Sequence, residues 1–228
     1  MKNTDSLWLD VWSKEKYPPI KKLTTKDIED KLFAMDASCA YSMGSYFTEG
    51  MKILDYGCGP TRFCNFMAQR IQNFTYYGIE PSSNYGKSCI SDALNSYKDD
   101  ERIKLGFIGD NIESEAIDSV DVVLLLSIFT HTTIEETESI LWKLYPVIER
   151  GGIIVFTMIL RDKYETIGPG AYNIGDTYAV TYNTTEQVNM LAEKFNCSMT
   201  LKDTWLHVNT WLHNIYEMKI NEKYFNAD

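Results

Sequence analysis

The chain has no run of about 18 apolar residues, which excludes a membrane-spanning helix. Its opening, MKNTDSLWLDVWSKEKYPPIKK, lacks the charged-then-apolar order of a secretory leader. A cytoplasmic location is the expectation. Cysteine is sparse: Cys39, Cys58, Cys64, Cys89 and Cys197 are odd in number and form no CxxC pair. Neither a disulfide framework nor a thiolate zinc site is expected, and buried reduced thiols are. Histidine is scarcer still, with only His131, His207 and His213, no HExxH and no tight acidic cluster, so no resident metal is expected. Positive charge is also short. The 22 Lys and Arg against 32 Asp and Glu leave a formal charge of −10, and basic groupings such as Lys14, Lys16, Lys21 and Lys22 are brief and interrupted. A phosphate backbone would be repelled on average, which disfavours DNA and tRNA as partners. Internal repeats and low-complexity tracts are absent.

What is present is apolar material in a regular order. The 228 residues are 44% hydrophobic, enough for one substantial core. From residue 51 onward, short runs rich in β-branched and aromatic residues (KILDY, FTYYGIE, IKLGFI, VDVVLLLS, GGIIVFTMIL) alternate with helical spacing. Phe63, Phe66, Met67 and Ile71 make one such helical stripe. Ile90, Ala93, Leu94 and Tyr97 make another, and Ile140, Leu141, Leu144 and Ile148 a third. Apolar strands alternating with helices predict a parallel sheet covered on both faces.

Around this α/β body the pattern changes. Residues 1–50 read as a helical extension, with TTKDIEDKLFAM carrying a threonine cap and apolar Ile28, Leu32 and Met35. Residues 161–183, rich in glycine and tyrosine, read as a loop or small subdomain inserted over one end of the sheet. TTEQVNMLAEKF predicts a helix capped by Thr184 or Thr185, apolar at Val188, Leu191, Ala192 and Phe195. SMTLKD and HNIYEMKI, joined by a short link, predict an antiparallel strand pair at the sheet edge, before a tail at 221–228.

The chemistry gathers at the strand ends. In KILDYGCGPTRF, Gly57 and Gly59 follow the first strand, where a parallel sheet binds ligands. The helix beginning near Thr61 would offer free N–H groups there. The sixth position of a GxGxxG fingerprint is Arg62, and Asp55 precedes the first glycine, giving D-x-G-x-G. A carboxylate there repels a pyrophosphate but accepts from an α-ammonium. Glu80 ends the second strand, 21 residues past Gly59, and suits a bidentate bond to ribose hydroxyls. Asp110 follows the third strand and suits the exocyclic amine of adenine, or alternatively a helix cap. Three acids at three consecutive strand ends favour an adenosyl ligand carrying a cation over a dinucleotide.

ILDYGCGP, YYGIEPS, GD, DVVLLLSIFTH and ERGGIIVF, in this order, resemble the motifs of the class I S-adenosylmethionine-dependent methyltransferases across about residues 51 to 220. The resemblance implies a Rossmann-like, seven-stranded, mostly parallel sheet with an antiparallel last strand and helices on both faces. It implies S-adenosylmethionine as cofactor and S-adenosylhomocysteine as product. Carried over by position, Asp55, Gly57 and Gly59 would line the methionine moiety, Glu80 the ribose, Asp110 with Asn111 the adenine, and Ser127 the methyl. Many members have a third glycine where Thr61 stands, a departure that implies a tighter turn or an altered carboxylate contact. Arg62 is a candidate ligand of the cofactor carboxylate or a surface residue. His131, in SIFTH, is the candidate catalytic base, against a role in packing and capping the next helix.

Trp12, Tyr17, Tyr41, Tyr46, Tyr164, Tyr172 and Tyr178 lie in the two segments expected to wall a small-molecule acceptor site. The resemblance around YNTTEQVNMLAEKF to methyltransferases acting on sugars or other small metabolites is an analogy in the same direction. Two rivals stand beside this expectation. One is a non-catalytic module that binds the cofactor, and the other, opposed by Asp55 and Arg62, is a nicotinamide-dependent oxidoreductase.

Overall fold

The computed structural model describes residues 48–68, 71–167, 180–206 and 212–221. The helices expected before residue 48, the tip of the 161–183 segment and the tail fall outside these residues. So do Trp12, Tyr17, Tyr41, Tyr46, Tyr172, Tyr178 and His207. Two compact units divide at Ala116 and Ile117. Both are α/β, with parallel strands and helices around them, and the second ends in an antiparallel strand pair.

The first unit contains β1 (Met51–Tyr56), α1 (Arg62–Ala68), β2 (Phe74–Glu80), α2 (Asn84–Tyr97) and β3 (Ile103–Phe107), and α3 (Asn111–Ser119) begins in it. β2 is central and parallel to both neighbours, with Asp55 level with Gly78 and Glu80 level with Phe107. Its burial is nearly continuous, as a strand covered on both faces requires. Phe63, Met67 and Ile71 are buried as their spacing predicts. On α2, Ile90 and Ala93 are buried while Leu94 is half exposed. Ser83 caps α2 by accepting from the Gly86 amide at 3.0 Å. Gly86 is required there, since a Cβ would stand 2.1 Å from the Pro81 carbonyl oxygen.

The second unit contains β4 (Val122–Leu125), α4 (Ile134–Glu149), β5 (Ile153–Leu160), β6 (Glu165–Ile167), β7 (Val180–Asn183), α5 (Thr185–Lys194), β8 (Cys197–Leu206) and β9 (Leu212–Ile220). β4 and β5 are parallel. β9 runs antiparallel to both β5 and β8, so it lies between them. Both helices start with reciprocal capping boxes, Thr133 with Glu136 and Thr184 with Gln187. Their apolar stripes bury Leu141, Leu144 and Ile148 on α4, and Val188 and Leu191 on α5, with Phe195 just beyond.

The strands number nine among the described residues, where seven are expected from the sequence. The additional two, β6 and β7, come from the segment read as a loop or small subdomain. They form an antiparallel ribbon running from Glu165↔Tyr182 to Ile167↔Val180. Val180 and Tyr182 pack with Ile159 and all four residues of β7 are buried, and that burial is what makes so short a segment a strand. β5 is shared in consequence. Residues Ile154 to Met158 pair with β9, whereas Ile159 and Leu160 pair with β7. Cys58, Cys64, Cys89 and Cys197 are buried free thiols. No helix among the described residues is long and apolar enough to cross a membrane.

Candidate functional site

Backbone hydrogen bonds fold the glycine turn after β1 onto the end of β2. The amides of Gly57 and Cys58 both donate to the Ile79 carbonyl, at 2.8 and 3.1 Å. Gly57 and Gly59 hold φ of 80° and 50°, a region open to glycine at little cost. Thr61 shares it at φ 56°, so the turn keeps a left-handed backbone where a β-branched residue stands. Its hydroxyl donates to the Pro60 carbonyl at 2.8 Å. Arg62 opens α1, and its side chain lies outside the described residues.

This turn brings Asp55, Gly59 and Glu80 together. Asp55 is 4% exposed and Glu80 6%, so two carboxylates are buried side by side at adjacent strand ends. Burial, followed by the Asp55 charge, pushes Glu80 up to about 8, while the Gly59 amide, which donates to it, pulls in the other direction. The Tyr76 phenol donates to Asp55 Oδ2 at 2.6 Å. Burial and both acids also raise the Cys58 thiol well above its ordinary range, so it is no thiolate nucleophile.

Asp110 and Asn111 follow β3 and are exposed. The Asp110 carboxylate turns back to accept from the Phe107 amide at 3.3 Å. In the second unit, Ser127 follows β4 with φ 59°. It is held there by its amide donating to the Thr157 hydroxyl at 2.7 Å and by its carbonyl accepting from the Thr130 hydroxyl at 3.0 Å. His131 closes the same turn, its amide donating to the Ile128 carbonyl at 2.9 Å. The cap of α4 comes from Thr133, two residues on, and Phe129 anchors the loop on Phe156 at 5.3 Å between ring centres. The ribbon joins this loop through the Thr181 amide, which donates to the Thr130 carbonyl at 2.9 Å. His213 is buried in β9.

A buried pair of acids beside a glycine turn suits a ligand that presents an ammonium and hydroxyl donors. The Asp55 charge opposes a pyrophosphate, because like charges at short range in a dry site are costly. Residues 47–222 match the family described as methyltransferase domain. The chain belongs to the methyltransferase family and is an enzyme.

The solved structures of similar fold agree with this family. A 1,6-didemethyltoxoflavin-N1-methyltransferase from Burkholderia thailandensis, with bound 1,6-didemethyltoxoflavin and S-adenosylhomocysteine, has a TM-score of 0.62 at 11% identity, covering 96% of this chain and 88% of that one. A SAM-dependent methyltransferase from Methanosarcina mazei has a TM-score of 0.59 at 14% identity over 78% of this chain and 96% of its own. The magnesium protoporphyrin IX methyltransferase of Synechocystis PCC 6803, with bound SAM, has a TM-score of 0.56 at 12% identity over 96% and 92%. No curated protein matches the sequence.

Two residues that hold candidate side chains or turns in place, one in each unit, escape the sequence reading. Tyr76 passes as one more apolar strand residue, although with Gly78 and Glu80 it shares the period-two face that pairs with Asp55. Thr157 is the sole hydroxyl in the apolar strand IIVFTMIL. It is fully buried, and its bond to Ser127 explains why it is there.

Proposed function

We propose that this methyltransferase moves the methyl group of S-adenosylmethionine to a hydroxyl or amine of a small-molecule acceptor, releasing S-adenosylhomocysteine. The observation that carries the cofactor assignment is the buried Asp55 and Glu80 pair against the Gly57 to Gly59 turn. Asp55 would accept from the amino-acid ammonium and Glu80 from the ribose hydroxyls, while the glycines let the methionine moiety approach the backbone. Asp110, Asn111, Ser127 and Arg62 are the remaining proposed cofactor contacts. The cofactor, when bound, supplies an activated methyl group, so the protein's task is to hold a nucleophile in line and keep water away.

His131 is the proposed base for a hydroxyl acceptor. It lies in the loop after β4, at the carboxyl end of a parallel strand, where an ordinary imidazole accepts a proton near neutrality. An amine acceptor would need only to arrive uncharged. A formal charge of −10 and small-molecule ligands in the didemethyltoxoflavin relative favour a small acceptor over a nucleic acid, a sugar or related metabolite among them. Residues 1–50 and 161–183 are the segments proposed to cover it, in a protein of the cytoplasm.

The test is calorimetric titration of S-adenosylmethionine and S-adenosylhomocysteine into the native chain, Asp55→Ala and Glu80→Ala. Micromolar binding lost in both variants is the expected result, and absence of binding to the folded native chain would remove the cofactor assignment. Labelled methyl transfer to hydroxyl and amine acceptors then separates catalysis from a binding-only module. For a hydroxyl acceptor, loss of turnover with retained cofactor binding in His131→Ala identifies the base.

A further inference from the structure

Tyr76 is an expensive residue for its place. It is fully buried in the central strand of its unit, and a phenylalanine would fill the same volume without a hydroxyl to satisfy. That hydroxyl makes a short bond, 2.6 Å, to Asp55 Oδ2 on the neighbouring strand. The distance is that of a hydroxyl donating to a charged carboxylate. Tyr76 is level with Ile53 and Gly78 with Asp55, so the phenol reaches two register positions along the sheet, to the next pair on the same face, to find its acceptor.

Gly78 makes the reach possible. A Cβ there would stand 2.8 Å from Tyr76 Cε1, 2.7 Å from Leu105 Cδ2 and 3.1 Å from Cys58 Sγ. Glycine weakens a strand interior because it has no side chain to pack, so its presence marks a close approach. Here the approaching groups are the Leu105 side chain and the tyrosine ring. Two unfavourable choices for a buried strand, a hydroxyl and a missing side chain, thus converge on the orientation of one carboxylate.

We propose that Tyr76 is a positioning residue for the amino-acid end of the cofactor: its phenol fixes the rotation of the Asp55 carboxylate and keeps Asp55, of the two neighbouring acids, as the anion that receives an ammonium. Tyr76 acts through Asp55 and touches no substrate itself. The inference rests on the cofactor assignment proposed above. It adds a division of labour, with the charge at Asp55 and the hydroxyl-accepting function at Glu80.

Two ligands separate this role from a merely structural one. S-adenosylhomocysteine has the amino-acid end, and 5′-methylthioadenosine shares its adenosine and thioether but has no such end. In Tyr76→Phe, S-adenosylhomocysteine is expected to bind about tenfold more weakly, the loss of one bond to a charged group, while 5′-methylthioadenosine binds as to the native chain. Asp55→Asn, which keeps an acceptor for the phenol and removes the charge, is expected to show the same selective loss. It also serves should Tyr76→Phe fail to fold. Equal weakening of both ligands, or of neither, would overturn the positioning role while leaving the cofactor assignment standing. A native chain that binds neither ligand would overturn both.

Discussion

Glu80 makes the stability of this enzyme depend on pH in a direction opposite to that of most carboxylates. An ordinary glutamate titrates at 4.5, whereas burial and the Asp55 charge push Glu80 up to about 8. Between those values the native state holds a proton that the unfolded chain has released. Stability from this group is therefore complete below pH 4.5 and declines as pH rises, until Glu80 ionises in the native state near 8. The slope is at most ~1.4 kcal/mol per pH unit, which sets a ceiling of about 5 kcal/mol across the interval. Glu80→Gln isolates the effect, because a carboxamide never ionises yet still accepts from the Gly59 amide. Asp55 and Cys58 act on the group in both proteins and cancel to first order in the difference. Urea unfolding of both chains without cofactor, from about pH 5 to about pH 9, should show the variant gaining on the native chain by a few kcal/mol. A difference that stays constant over that range would refute the argument. If ribose hydroxyls then donate to the Glu80 carboxylate, S-adenosylhomocysteine must expel the proton at neutral pH. Calorimetry in buffers of different ionisation enthalpy detects that release.

Three further outcomes test the packing. Gly86→Ala should cost ~2 kcal/mol or more by driving a methyl group into the Pro81 carbonyl, and an unchanged urea midpoint would show that the turn yields freely. Thr133→Ala removes the side-chain half of the α4 capping box and should lower stability by about 1 kcal/mol, measured by the same unfolding. Asn196, exposed after α5 at φ 49°, occupies a glycine-like conformation; Asn196→Gly should raise the melting temperature, with a gain of up to ~1 kcal/mol.

Much of the architecture could be read from periodicity. GGIIVFTMIL becomes β5 with its expected bounds nearly intact, and TTEQ is a capping box because threonine and glutamine satisfy each other's backbone partners. The acid pair was equally visible, since Asp55 and Glu80 mark the ends of adjacent strand patterns. VDVVLLLS, by contrast, yields only the strand Val122–Leu125, because Ser127 takes a left-handed turn that Thr157 holds from another strand. No local pattern encodes that bond. β6 and β7 were hidden for a related reason. Three and four residues are too few for a period to emerge, and they become strands by burying Val180 and Tyr182 on Ile159. Tyr76 escaped because its role depends on register, and register places its hydroxyl beside an acid distant in sequence.

The β6–β7 ribbon bears on how freely the chain between its two strands can change. Its paired ends at Ile167 and Val180 are fixed by the ladder below them, and the ladder is fixed in turn to β5 and to the Thr130 carbonyl. The entropy of closing whatever chain lies between those ends grows only with the logarithm of its length, about 0.6 kcal/mol for each doubling. Longer, shorter or wholly different sequences can therefore be spliced in above Ile167 and Val180 while β5 and the turn carrying His131 keep their hydrogen bonds. Recombination at this point would replace the chain between Ile167 and Val180 without renegotiating the core.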